Sequence, residues 1–131
     1  MKRYSVLYLI TLVIMVPLDF LFLGVLAKDF YQSRVGEMLG PVNAPAAVVF
    51  YLVYVVGILV FASGSPEATT KTALINGALF GFFAYATYDL TNLAVLKQWS
   101  TAVALIDMSW GVAITAFVAW AGKFLSDKIA G

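Results

Sequence analysis

Four stretches of nearly uninterrupted apolar residues divide this chain, and they constrain it more than any motif does. Tyr4 to Ala27 is the first, Ala44 to Ser63 the second, Thr72 to Leu96 the third and Thr101 to Leu125 the fourth. Crossing a hydrocarbon core of about 30 Å takes about 20 apolar residues in a helix. Each stretch is that long. Hydrophobic residues make up 63% of the 131 and charged residues 11%. A soluble domain of this size leaves much of its surface wet and could not hide that much apolar side chain. The expected fold is therefore all-α: an integral membrane four-helix bundle forming one domain over residues 1–131, with spans at about 4–27, 44–63, 72–96 and 101–125.

The links refine this topology. Lys97 to Ser100 is so short that the third and fourth spans must form an antiparallel hairpin. Lys28 to Asn43 is longer and carries Tyr31, Val35, Met38 and Leu39 at helical spacing. This predicts a short amphipathic helix over 30–39, lying in the interface and covering the end of the bundle opposite the termini. Gly40-Pro41 stops it, and Pro45 opens the second span, where a missing N–H is harmless. Lys2 and Arg3 before an apolar run resemble a secretory signal, but the run is long and holds Asp19, so it reads as a retained helix. Lys2, Arg3, Lys71, Lys123 and Lys128 fall on the side of the termini and Lys28, Arg34 and Lys97 on the other. Five against three biases both termini toward the cytoplasm, a margin that leaves dual topology open.

Composition also excludes chemistry. With no Cys and no His, there are no ligands for an iron–sulfur cluster, a His-ligated haem or an ordinary zinc site, and no cofactor is expected. A net charge of +1 without a basic block argues against nucleic acid as a partner. Membrane lipid is the expected environment, with a homodimer or a larger membrane complex open.

Asp19, Asp89 and Asp107 stand inside the apolar spans, where a charge costs about 2.5–3.5 kcal/mol on insertion scales. At 1.5 Å per residue, Asp19 and Asp89 lie past their span midpoints and Asp107 lies before its own. All three therefore fall in the half of the bundle away from the termini. Gly77, Gly81, Tyr85 and Asp89 recur at intervals of four, so Asp89 shares a face with a GxxxG packing stripe. Tyr88 and Asn92 flank it, and Trp110 and Gly111 follow Asp107 on a small-residue seam that continues through Thr115 and Ala119. Pro17 leaves the Val13 carbonyl short of a partner beside Asp19, and Tyr51 and Tyr54 offer hydroxyls from the second span. Trp99 reads as an aromatic of the interfacial belt, and Lys28 and Lys97 as interfacial cations.

Two roles fit these carboxylates. In the structural one, each Asp accepts hydrogen bonds from Tyr, Ser, Thr or Trp and keeps the helices in register. In the functional one, no Lys, Arg or His lies at their depth, and three ionised carboxylates would repel one another, so a proton, cation or small cationic solute joins them. Asp19, Asp89, Asp107, Asn92, Tyr85, Tyr88, Tyr51, Tyr54 and Trp110 are the candidate site, and Gly77, Gly81 and Gly111 the packing positions. Binding or transport of such a ligand is the leading expectation. An accessory subunit of a membrane complex is the alternative, and an enzyme acting on lipid ranks below both.

The segments Tyr85-Ala86-Thr87-Tyr88-Asp89-Leu90-Thr91-Asn92, Asp107-Met108-Ser109-Trp110-Gly111, Pro17-Leu18-Asp19 and Phe50-Tyr51-Leu52-Val53-Tyr54 together resemble the bacterial membrane-protein family known as domain of unknown function 2177. The resemblance covers nearly the whole chain and implies a small four-helix inner-membrane protein. It implies no activity. Phe22 departs from the Trp expected there.

Overall fold

The computed structural model describes residues 2–36 and 43–130. Among them the chain is helical throughout, with short links. Helix α1 (Lys2–Leu21) runs through Pro17 and ends in a wider π turn, Phe22–Leu26. Helix α2 (Lys28–Val35) follows after a single residue. Helix α3 (Ala44–Ile58) also ends in a π turn, Leu59–Ser63. Helices α4 (Thr70–Val95) and α5 (Thr101–Ala130) complete the fold.

Local chemistry explains these boundaries. Asn43 caps α3, its side-chain oxygen accepting from the Ala46 amide at 3.1 Å, and Pro45 occupies the first turn as expected. Thr69 caps α4 in the same way through the Thr72 amide at 3.1 Å. The π turn of α3 closes when the Gly64 amide donates to the Leu59 carbonyl at 2.7 Å. A Cβ at Gly64 would strike that carbonyl, so the turn requires glycine there.

Three helical stretches are long and apolar enough to cross a membrane: Lys2–Leu26, Ala44–Ser63 and Thr101–Ile129. The expected third span differs. Its helix forms over Thr70–Val95, but Asn76, Asp89, Asn92 and several Thr and Tyr dilute its apolar character. It compensates by packing more closely than any other helix against α5. Of the interfacial helix expected over 30–39, Phe30 to Val35 is helical within α2, while Met38 and Leu39 lie outside the described residues.

Helix α5 is central. Half of its apolar window is buried inside the molecule, against 17% for α1 and 33% for α3. The core joins Met15 of α1, Val55 and Ile58 of α3, Ala73 of α4 and Val118 of α5. The outward faces stay apolar: Val13, Val53, Phe61, Phe83 and Leu105 are all more than half exposed. Exposed apolar surface of this extent marks contact with lipid or another protein.

The α4–α5 hairpin forms on the glycine stripe. Gly77 lies against Ala119 and the Thr115 carbonyl, and Gly81 against the Gly111 carbonyl and Thr115. At Gly111 the Tyr85 ring lies directly on the backbone. These are the approaches that small residues permit and a Cβ would block.

Candidate functional site

Asp19, Asp89 and Asp107 are all buried, at 3% exposure for Asp19, 0% for Asp89 and 8% for Asp107. Their surroundings differ, and the difference divides the expected cluster in two.

Asp19 is fully engaged. The Tyr51 hydroxyl donates to Oδ2 at 2.5 Å and the Trp110 indole N–H to Oδ1 at 2.8 Å. The two donors come from α3 and α5, so this one carboxylate ties three helices together. Phe22, in the π turn of α1, stacks on Trp110 with ring centroids 4.0 Å apart and planes 6° from parallel. Here the sequence departs from the expected Trp, and Phe serves as a flat cover for the indole.

Asp107 takes a donor from outside the expected site. The Tyr31 hydroxyl of α2 donates to its Oδ1 at 2.9 Å. Tyr31 also meets Phe22 edge-on at 6.4 Å. Burial, and then the charge of Asp107, push the Tyr31 phenol well above its ordinary value, so it stays a hydrogen-bond donor. The signal for Tyr31 was available: it lies on the apolar face of the link that leaves α1 at the end holding the aspartates. The structure therefore places α2 over that end of the bundle, as expected.

Asp89 has neither kind of support. Both of its carboxylate oxygens are buried and neither accepts a hydrogen bond among the described residues. Asp107 stands beside it across the hairpin, as the glycine stripe predicts. The Trp99 indole also stands beside it, its N–H buried and without a hydrogen-bond partner among the described residues. Trp99, expected as a belt aromatic, meets Tyr88 edge-on at 5.9 Å and closes the site from the α4–α5 link.

The other candidates are dispersed. Tyr54 pairs with Thr115 at 2.9 Å, between hydroxyls, and reaches no aspartate. Tyr85 packs on Gly111 beneath the cluster. Tyr88 is 55% exposed, and Asn92 is half-buried with its backbone carbonyl accepting the Leu96 amide at 2.8 Å. Among the described residues no three acidic side chains converge closely enough to hold a metal ion. Two cavities, of about 310 and 440 Å³, open elsewhere on the molecule, and neither is lined by Asp19, Asp89 or Asp107. The arrangement is thus a buried carboxyl pair, Asp89 and Asp107, with a separately anchored third carboxylate in Asp19.

Compared with known proteins, residues 4–124 match the model of a family described as predicted membrane protein (DUF2177). No curated protein and no solved structure matches the chain.

Proposed function

Since the chain belongs to the predicted membrane protein family DUF2177, we propose that it is a four-span protein of the bacterial inner membrane, with both termini cytoplasmic, and that it binds a proton at the Asp89–Asp107 pair. In this reading α4 is the fourth span, carried through the bilayer by its packing on α5 despite its polar residues. The observation that carries the proposal is Asp89: wholly buried, neither oxygen accepting a hydrogen bond among the described residues, next to a second carboxyl. Two adjacent carboxylates in a low-dielectric site cannot both stay ionised without a cation, and sharing one proton answers the charge and the missing hydrogen bond together. A proton fits better than a larger ligand. The metal-sized grouping is missing among the described residues, and neither described cavity opens at the pair. Lys123, the buried cation of α5, is engaged with Asp127 at 3.3 Å and lies sixteen residues beyond Asp107, so it cannot neutralise the pair.

Asp19 takes the other role. Two donors from two helices satisfy it, so it anchors the bundle beside the pair. Tyr31 is then the group through which Asp107 meets the half-buried surface of α2. The reading needs no cofactor and no nucleic acid, and its surroundings are membrane lipid.

Infrared difference spectroscopy of the protein in vesicles tests this. A protonated-carboxyl band should be present at neutral pH, persist in Asp19→Asn and vanish in Asp89→Asn, where Asp107 no longer has a carboxyl to share with. A band that survives Asp89→Asn unchanged removes the pair as the proton site.

A further inference from the structure

At the other end of the molecule, a slot of about 440 Å³ separates α1 from α3. Its walls are Tyr4 and Tyr8 of α1 and Val56, Leu59 and Val60 of α3, and it ends at Gly64 and Ser65. The Tyr8 hydroxyl donates to the Leu52 carbonyl at 2.9 Å, so the wall it presents is its ring. From Gly64 to Val56 the slot follows eight residues, about 12 Å along the helix axis. Both flanking helices belong to stretches apolar enough to cross a membrane. An open apolar groove of this size, lying along the spans, suits an acyl chain.

Its mouth is charged with both signs. Arg3 donates through Nη1 to the Gly64 carbonyl at 3.0 Å and through Nη2 to the Ser65 carbonyl at 3.2 Å. A guanidinium has five N–H donors, so these two bonds orient Arg3 and leave the others open. The Tyr4 ring lies 4.9 Å from its central carbon and holds it further. On the other side of Ser65, Glu67 accepts from the Ser65 hydroxyl at 2.8 Å. That hydrogen bond holds the exposed Glu67 carboxyl below its ordinary value and keeps it ionised at neutral pH. Arg3 and Glu67 both reach Ser65, yet the one ion pair among the described residues is Lys123 with Asp127.

We propose that this slot holds a zwitterionic aminophospholipid, with one acyl chain between α1 and α3, its phosphate at Arg3 and its ammonium group at Glu67. The opposite charges at the mouth fit a headgroup carrying both. A purely anionic headgroup has no cation for Glu67: the glycerol hydroxyls of phosphatidylglycerol donate there without the charge that an ammonium group brings. A choline headgroup has no N–H to donate there. The planar guanidinium suits a phosphate, and the charge-assisted hydrogen bonds at each end give the selectivity. The site stands apart from the Asp89–Asp107 pair and does not depend on it.

The test uses the full chain reconstituted in vesicles of equal phosphatidylethanolamine, phosphatidylglycerol and phosphatidylcholine. After mild solubilisation, native mass spectrometry reads the retained lipid. One phosphatidylethanolamine per chain is expected, in preference to the other two. Arg3→Gln should lower retention of every phospholipid by about tenfold, the loss of a charge-assisted contact. Glu67→Gln should erase the preference for ethanolamine over choline. Val60→Trp, which fills the slot from a lipid-facing position, should expel the lipid whatever its headgroup while circular dichroism stays helical. Asp89→Asn should retain the lipid as the unaltered protein does. Equal retention of the three lipids by the unaltered protein overturns the proposal. So does an ethanolamine preference that survives Glu67→Gln, or retention unaffected by Val60→Trp.

Discussion

Changing Asp to Asn at two buried positions should shift stability in opposite directions. Asp19 accepts two hydrogen bonds, one on each oxygen, from Tyr51 and Trp110. Asn has a single acceptor oxygen, and its amide N–H₂ would face one of those donors. One buried hydrogen bond is then lost and a donor is stranded, a cost of about 1–3 kcal/mol. Asp89 begins from the reverse condition. Neither of its oxygens accepts a hydrogen bond among the described residues, and each such buried group carries a penalty of about 1–3 kcal/mol. Asn at this position brings two N–H groups toward Asp107 and keeps an oxygen for the Trp99 indole. The amide N–H takes the place of the shared proton, so Asp89→Asn should be neutral or stabilising by about 1–3 kcal/mol, the cost of the buried group it relieves. The measurement is reversible unfolding of both variants in mixed micelles, followed by circular dichroism and Trp fluorescence at neutral pH. Destabilisation of Asp89→Asn as large as that of Asp19→Asn would show that Asp89 is a satisfied structural acid, and the pair would lose its basis as a proton site.

Three further outcomes follow from the packing. Gly81→Ala places a methyl against the Gly111 carbonyl, which cannot yield, and should cost about 1–3 kcal/mol, whereas Gly24→Ala meets nothing within 4 Å and should be neutral or gain about 0.5–1 kcal/mol; parallel unfolding curves read both. Trp110→Phe removes the indole donor to Asp19 while leaving a ring for Phe22 to stack on, so stability should fall by about 1.5–3 kcal/mol with the helical spectrum unchanged. The Tyr31 phenol, pushed up by burial and by Asp107, should be absent from an ultraviolet titration through the ordinary tyrosine range near 10.0. In Asp107→Asn one tyrosine should return toward that range, and a titration identical to that of the unaltered protein would refute the Tyr31–Asp107 contact.

Much of this molecule was determined by its sequence alone. Apolar runs of span length, a four-residue link and a glycine stripe leave little choice but an antiparallel α4–α5 hairpin with Asp89 facing inward. The helical period settles which residues share a face within one helix, and Gly77, Gly81, Tyr85 and Asp89 obey it. The common end of the three aspartates followed from counting residues along each helix. The third apolar run is where the expectation parted from the fold: read as a span over 72–96, it forms the helix α4, which is not among the three stretches long and apolar enough to cross a membrane, because Asn76, Asp89, Asn92 and several Thr and Tyr interrupt it.

What only the tertiary structure decided is which donor meets which carboxylate. Periodicity within a helix says nothing about the rotation and axial offset between helices, which side-chain interlocking sets. Tyr51 and Trp110 converge on Asp19, while Tyr54, one turn further along α3, turns instead to Thr115. Tyr31 reaches Asp107 because α2 folds back after a single residue, a turn that no local pattern announces. Trp99 closes over Asp89 from a link rather than a helix, so no periodicity points to it. The charge balance of a buried site depends on contacts a few ångströms long, and those depend on packing among all five helices. For that reason the sequence could place three acids at one end of the bundle, and only the fold could separate the anchored Asp19 from the unsupported Asp89.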